Sequence, residues 1–160
     1  MLISKELNAA FVEEIGLELF SSHQYMVMAA WFDELALNKL SALFFKQGEE
    51  ERTHAMKFIK YLMDAGGKVE IPAVKAPQST YASVEEAIRA SYDWEMEVTR
   101  RINALMSMAI DQKDYIAQDF LRWFETEQLE EVSSMDTLLK VVRQAGERNL
   151  IMLEAYLSHE

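Results

Sequence analysis

Residues that interrupt helices are rare in this chain and confined to one region, which limits the fold more than any other feature. The 160 residues include 5 glycines and 2 prolines, and both prolines, Pro72 and Pro77, lie within residues 66–82. Because glycine and proline disfavour helix most strongly, the remaining sequence is able to form long helices. Half of the residues are hydrophobic, which is sufficient for one core. We therefore expect an all-α protein with residues 1–160 in a single domain.

Capping signals predict where the helices begin and end. Ser4 is predicted to cap the first helix and Asn38 the second, because short polar side chains accept hydrogen bonds from free N–H groups. Ser83 followed by Glu86 forms a capping box before a third helix. The predicted helices run from residue 4 to 34, from 38 to the glycine pair at 66–67, from 83 to 111, from 114 to 144, and from 147 to 158.

The lengths of the connections predict the topology. The second and third helices are separated by roughly 16 residues, whereas the other joints take roughly two to five. A long connection allows consecutive helices to run parallel, while short ones force them antiparallel. We expect a four-helix bundle with one long crossover and a short fifth helix at the C-terminus.

Each long helix contains an apolar stripe, with spacings of three and four residues, that is interrupted near its middle by polar residues. Glutamates stand at the central positions, and His54 follows one of them by one turn. The predicted stripes are Leu7, Phe11, Glu14, Glu18, Ser21, Tyr25, Met28 and Phe32; Leu40, Phe44, Gln47, Glu51, His54, Phe58 and Tyr61; Ile88, Ser91, Glu95, Val98, Ile102 and Leu105; and Leu121, Phe124, Gln128, Glu131, Met135, Leu138 and Val142.

One glutamate from each helix is therefore predicted to share a layer in the core, given the rise of ~1.5 Å per residue. This glutamate layer consists of Glu18, Glu51, Glu95 and Glu131. Four buried carboxylates cannot all stay ionised, so the layer must take up protons, water or cations. A pair of divalent ions would cancel the charge. The chain has no cysteine, so any metal must have oxygen and nitrogen ligands.

The balance of charge argues against several classes of partner. The chain has 27 acidic and 16 basic residues and a net charge of -11, without a basic cluster to bind phosphates. We expect no nucleic acid and no membrane as partner. An N-terminal export signal and a membrane-length apolar run are both missing, which predicts a cytoplasmic protein. The 10 methionines fit core packing, and no haem is predicted.

Single glutamates on two helices, together with Glu51-x-x-His54 on a third, resemble the pattern of ferritin-like di-metal bundles. The fourth helix carries Gln128-x-x-Glu131, where a symmetric di-iron oxygenase or a bacterioferritin would have a second Glu-x-x-His. With this asymmetry the chain resembles bacterial non-haem ferritins over essentially its whole length, including residues 120–124 and 127–131. Arg52 stands where bacterioferritins carry the methionine that binds haem. Asn38-Lys39 and Val132 depart from the common ferritin pattern.

The resemblance implies iron storage with ferroxidase activity, which is the oxidation of Fe(II) by dioxygen at a di-iron centre. It implies that Glu18, Glu51 and His54 hold one iron. It implies that Glu51, bridging the pair, holds the second iron together with Glu95 and Glu131.

Two residues beside this set have implied roles in the reaction. Tyr25 is either a core tyrosine hydrogen-bonded to a carboxylate or a further electron donor. Gln128 is a neutral and therefore weak partner of the second iron, which favours release of oxidised iron to a mineral.

Further features of the family concern a third iron and the assembly. Glu50, Glu127 and Glu130, with Glu131, match the third iron site of bacterial ferritins, or else form a solvated acidic face. Storage of mineral needs a container, and the resemblance implies a homo-oligomeric cage of 24 subunits active in iron homeostasis. The alternative function is a di-iron or di-manganese oxidase that acts on an organic substrate without storing mineral.

Overall fold

A computed structural model describes residues 1–159, which form five α-helices, one 3-10 turn and no strand. The predicted all-α four-helix bundle with a long crossover and a short fifth helix is confirmed. Within these residues no helix has the length and hydrophobicity needed to cross a lipid bilayer. The elements are α1 (Lys5–Glu34), α2 (Asn38–Asp64), α3 (Val84–Asp111), α4 (Tyr115–Ala145), the 3-10 turn (Glu147–Asn149) and α5 (Leu150–Leu157).

The crossover between α2 and α3 lies along α1 and is held there at two points. Asn8 exchanges hydrogen bonds with the backbone of Lys68 (2.8 and 2.9 Å), and Gln24 does the same with Gln78 (2.9 and 2.8 Å). Asn8 and Gln24 lie about 24 Å apart along the helix, so the crossover returns the chain to the other end of the bundle. α2 and α3 are therefore parallel.

Between these two points the crossover packs closely on α1 at Gly16. A Cβ atom at this position would lie 2.6 Å from Cγ of Pro72. Because real Cβ contacts are not that short, a larger residue would push the crossover away from the helix. This explains a glycine in the middle of a long helix, where it otherwise costs about 1 kcal/mol relative to alanine.

The hydrophobic core consists of two clusters, one on each side of the glutamate layer. Phe11 and Phe58 lie on one side with ring centroids 5.0 Å apart. Phe32 and Phe44 lie on the other side, also 5.0 Å apart. Each cluster draws residues from all four long helices. The bundle is thus stabilised by apolar packing above and below a central polar layer.

Two of the predicted caps are confirmed, and one is wrong. Ser4 Oγ accepts a hydrogen bond from the backbone N–H of Leu7 at 3.0 Å, and Ser83 Oγ accepts one from Glu86 N–H at 3.0 Å. Asn38 is already the first residue of α2 and does not cap it. The cap comes from a distant segment instead, because the Glu154 carboxylate of α5 occupies this end of the helix.

The C-terminal segment supplies carboxylates to the beginnings of two helices. Glu154 accepts hydrogen bonds from the backbone N–H groups of Lys39 (2.8 Å) and Leu40 (2.9 Å). Glu147 does the same for Val84 (2.8 Å) at the beginning of α3. Both carboxylates satisfy N–H groups that have no partner within the helix and meet the positive end of its dipole.

We predict that Glu154→Ala lowers the free energy of unfolding by about 1 kcal/mol, because the first turn of α2 loses both acceptors. The melting temperature measured by calorimetry should fall by about 2–4 °C. Glu49→Ala, which changes an exposed glutamate of α2, is the matched control and should melt with the wild type. Equal melting temperatures for both variants would contradict the assigned cap.

Candidate metal centre

The structure brings the predicted glutamate layer together in the middle of the bundle. Its four side chains and His54 are each at least nine-tenths buried. They meet because they occupy central positions of the inward stripes, one from each long helix. Their ligand atoms form two adjoining groups, within each of which these atoms lie at most 4.8 Å from one another. We call these the His54 group (Glu18, Glu51, His54) and the Glu95 group (Glu51, Glu95, Glu131).

Glu51 belongs to both groups, which is the position predicted for a bridging carboxylate. Its Oε2 lies 3.1 Å from His54 Nδ1, and the same nitrogen lies 3.6 Å from Glu18 Oε2. The other ring nitrogen, Nε2, faces Glu127 Oε1 at 3.7 Å. The imidazole therefore lies between the carboxylates of Glu18 and Glu51 on one side and that of Glu127 on the other.

Tyr25 is fully buried, and its hydroxyl donates a hydrogen bond to Glu95 Oε1. Burial and the nearby charge of Glu95 raise the pKa of the phenol well above its usual value, so it stays protonated. The structure thus shows the hydrogen-bonded tyrosine. Its role as an electron donor stays a prediction.

Gln128 contacts the centre through its amide nitrogen, which donates to Glu95 Oε2 at 3.1 Å and to Thr99 Oγ1 at 3.1 Å. These contacts hold the Glu95 carboxylate in place. The predicted weak contact of Gln128 with a second iron stays a prediction.

Sequence reasoning missed the function of Gln47. Its amide donates hydrogen bonds to Glu51 Oε1 (3.1 Å) and to Glu131, so it ties α2 to α4 inside the layer. Its place in the inward stripe, one turn before Glu51, was the available signal. That place predicts burial but does not identify the hydrogen-bonding partners.

Burial and mutual repulsion distribute the protons unequally over the layer. Burial first, and then the charge of Glu51, raise the pKa of Glu95 to about 8 and that of Glu131 to about 9. Burial likewise raises the pKa of Glu18 well above its usual range. Burial acts to raise the pKa of Glu51 too, but hydrogen bonds, led by the one to His54, bring it below its usual value. At neutral pH the negative charge is therefore concentrated on Glu51.

The donor set fits a cation. Neither carboxylate oxygen of Glu18 accepts a hydrogen bond from an N–H or O–H group elsewhere in residues 1–159. A buried carboxylate without donors is unfavourable unless it is protonated or meets a positive charge. Five carboxylate and imidazole side chains around one buried point are suited to iron, manganese or zinc in the divalent state.

The residues predicted for a third iron lie next to one another at the edge of this layer, where Glu131 is part of the layer, Glu50 and Glu127 are half-buried, and Glu130 is exposed. Glu50, Glu127, Glu130 and Glu131 line one cavity of about 250 Å³, together with Lys46 and Gln47. Glu127 and Glu131 also form a third possible metal-binding group with His54. We call this the acidic cavity. It lies between α2 and α4 and opens from the glutamate layer towards solvent.

A four-helix bundle with carboxylates and an imidazole converging at its centre defines the class of carboxylate metal-binding bundles. Comparison with known proteins identifies the family. The family model described as "ferritin-like domain" matches residues 8–145. The chain therefore belongs to the ferritin family, and the resemblance inferred from its sequence is confirmed.

Individual relatives agree with this assignment. The chain is 36% identical over 155 residues to ferritin BfrB of Mycobacterium tuberculosis, covering 97% of this chain and 85% of that protein. It is 36% identical over 146 residues to the bacterial non-heme ferritin of Staphylococcus aureus, covering 91% and 88%. An open pore ferritin from the archaeon Archaeoglobus fulgidus matches its structure with a TM-score of 0.95 and 35% identity, covering 99% and 98%.

We predict that the metal-free protein becomes less stable as the pH rises from about 5 to about 9. The folded protein keeps protons on Glu95 and Glu131 that the unfolded chain releases near its ordinary value of 4.5, so raising the pH favours unfolding. Glu131→Gln removes one of these groups and should flatten the decline of melting temperature with pH. Glu130→Gln, at an exposed neighbour, should follow the wild type. Identical slopes for all three proteins would contradict the proton distribution.

Proposed function

We propose that this protein stores iron by oxidising Fe(II) with dioxygen and depositing ferric oxyhydroxide inside a cage of its own subunits. The observation that carries the proposal is the shared Glu51, which brings the His54 group and the Glu95 group together in one buried layer. Two Fe(II) ions bound there would replace the protons on the raised-pKa carboxyl groups. Binding would therefore cancel the charge that makes the empty layer unfavourable.

In the proposed reaction each of two Fe(II) ions loses one electron to dioxygen. Dioxygen takes up two electrons and two protons and leaves as hydrogen peroxide. Glu51 would hold the two ions side by side. Tyr25, bonded to Glu95, would donate only where dioxygen is reduced to two waters, which takes four protons and four electrons, one from each of two Fe(II) ions at the centre, one from a further Fe(II) and one from the phenol. The chemistry requires the metals to be close and water to be limited, which the buried layer provides.

The charge of the acidic cavity favours a cation, and not an organic substrate, as the species that passes between the glutamate layer and solvent. Its lining combines the carboxylates of Glu50, Glu127, Glu130 and Glu131 with the single ammonium group of Lys46, which lies 4.0 Å from Glu50. We propose that these glutamates bind a third iron that leaves the centre for the mineral. Four carboxylates against one ammonium group give this lining a net negative charge, which favours a cation over a neutral or anionic organic substrate.

A cage is proposed because the bundle exposes apolar residues that another subunit would bury. On α5, Ile151 is 77% exposed and Met152 62% exposed, although the helix is almost entirely apolar. Exposed apolar patches of this kind mark protein–protein contacts. A homo-oligomer of 24 subunits, as the sequence resemblance implies, would bury them and enclose a space for mineral.

The proposal predicts that Glu51→Gln slows aerobic Fe(II) oxidation by about 100-fold or more, because a shared metal ligand is lost. Oxidation is followed by the ultraviolet absorbance of Fe(III) while light scattering reports particle size. Glu49→Gln, an exposed position on the same helix, should oxidise iron at the wild-type rate. Equal rates for Glu51→Gln and the wild type would overturn the assignment. So would a wild-type monomer that saturates at two metals.

A second prediction concerns release of iron from the centre. Gln128→Glu adds a charged ligand where a neutral amide contacts Glu95, so oxidised iron should be retained more firmly and mineral should grow more slowly. The iron left at the centre after gel filtration measures retention, with exposed Gln144→Glu on the same helix as control. Unchanged iron occupancy and unchanged mineral growth would contradict the role of Gln128.

A further inference from the structure

A fifth glutamate, Glu14, is buried in the bundle and belongs to none of the three possible metal-binding groups. It lies on α1 one turn before Glu18, and only 2% of its surface is exposed. Its place in the inward stripe explains why it is buried. The proposed reaction assigns it no role.

Glu14 and its neighbour Glu18 have three carboxylate oxygens that accept no hydrogen bond. Neither Glu14 Oε1 nor either oxygen of Glu18 accepts a hydrogen bond from an N–H or O–H group elsewhere in the described chain. The two side chains lie one turn apart on the inward face of α1, and both are buried. Two adjacent buried carboxyl groups, three of whose four oxygens lack a donor, form a place where a positive charge is favoured.

The cationic side chain that acts on Glu14 is already paired. Arg101 on α3 acts electrostatically on Glu14, but its Nε binds Glu97 Oε1 at 3.0 Å and its side chain is 39% exposed. Arg101 therefore lies at the surface with Glu97 and leaves the oxygens of Glu14 and Glu18 without a charged donor.

The groups around Glu14 also lie on a different side of the bundle from the acidic cavity. Arg101 lines a separate surface cavity of about 420 Å³ formed by α1, α3 and the crossover, with Gly16 and Pro72 among its walls. The acidic cavity is formed by α2 and α4. The cation that acts on Glu14 therefore lies on the side of α1 and α3, away from the acidic cavity.

We propose that Glu14 and Glu18 together bind a divalent cation beside the His54 group, on the side of α1 and α3, with water completing its coordination. Glu18 then contributes one oxygen to each of two neighbouring metals. Because this position has carboxylate ligands and no imidazole, it holds Fe(II), Mn(II) or Zn(II) more weakly than the His54 group does. Because a weakly bound ion can leave again, this position is suited to passing divalent ions on to the His54 group. The inference rests on the proposed role of Glu18 as a metal ligand.

The test uses the assembled, metal-free protein and Zn(II), which binds without oxidation. Calorimetric titration should give about one more Zn(II) per chain for the wild type than for Glu14→Gln, and the lost site should be the weakest. Glu13→Gln, the exposed neighbour on the same helix, should keep the wild-type stoichiometry. Equal stoichiometry for the wild type and a correctly assembled Glu14→Gln overturns the proposal.

A second measurement needs no variant. Crystals of the wild type grown with Zn(II) should show an anomalous-scattering peak about 2.0–2.2 Å from a Glu14 oxygen. Peaks in the His54 and Glu95 groups without one at Glu14 overturn this inference and leave the proposed function standing. Absence of zinc from all of these positions overturns the proposed function itself.

Discussion

The burial of four carboxyl groups in one layer is the constraint on which the rest of this structure depends. Without cations the layer is tolerated because most of it is protonated, with the negative charge on Glu51 held by His54 and Gln47. Such a layer lowers stability unless apolar packing compensates, and the two aromatic-rich clusters on either side provide that packing. The proposed binding of divalent ions would relieve this unfavourable centre and would couple stability to metal binding.

The topology of the bundle brings the four glutamates of this layer together. Only a chain that returns along α1 places α2 and α3 parallel, and the hydrogen bonds of Asn8 and Gln24 fix that return. The carboxylates of Glu147 and Glu154 then fix the beginnings of α3 and α2. Helix existence and length were predictable, because breakers are few and the apolar stripes regular. The cap of α2 was not, because its acceptor comes from a residue more than a hundred positions away, whereas Asn38 offered a local signal that tertiary structure overrode.

The candidate site was predictable to the level of which side chains meet, and less so to the level of which atoms bond. Helical spacing alone placed Glu18, Glu51 and His54 inward, and the structure brings them together. The same spacing placed Gln47 and Glu14 inward without indicating their function. Gln47 bonds two carboxylates, while Glu14 has an oxygen without a donor. This difference depends on side-chain rotamers and on neighbours from other helices, which periodicity does not specify.

Crystals of the wild type prepared without oxygen and loaded with Fe(II) test the central claim most directly, through anomalous scattering at the iron absorption edge. The account predicts two iron positions inside each bundle, one among Glu18, Glu51 and His54 and one among Glu51, Glu95 and Glu131, with Glu51 contacting both. Iron found only on the surface or between subunits, with the glutamate layer free of metal, would contradict it.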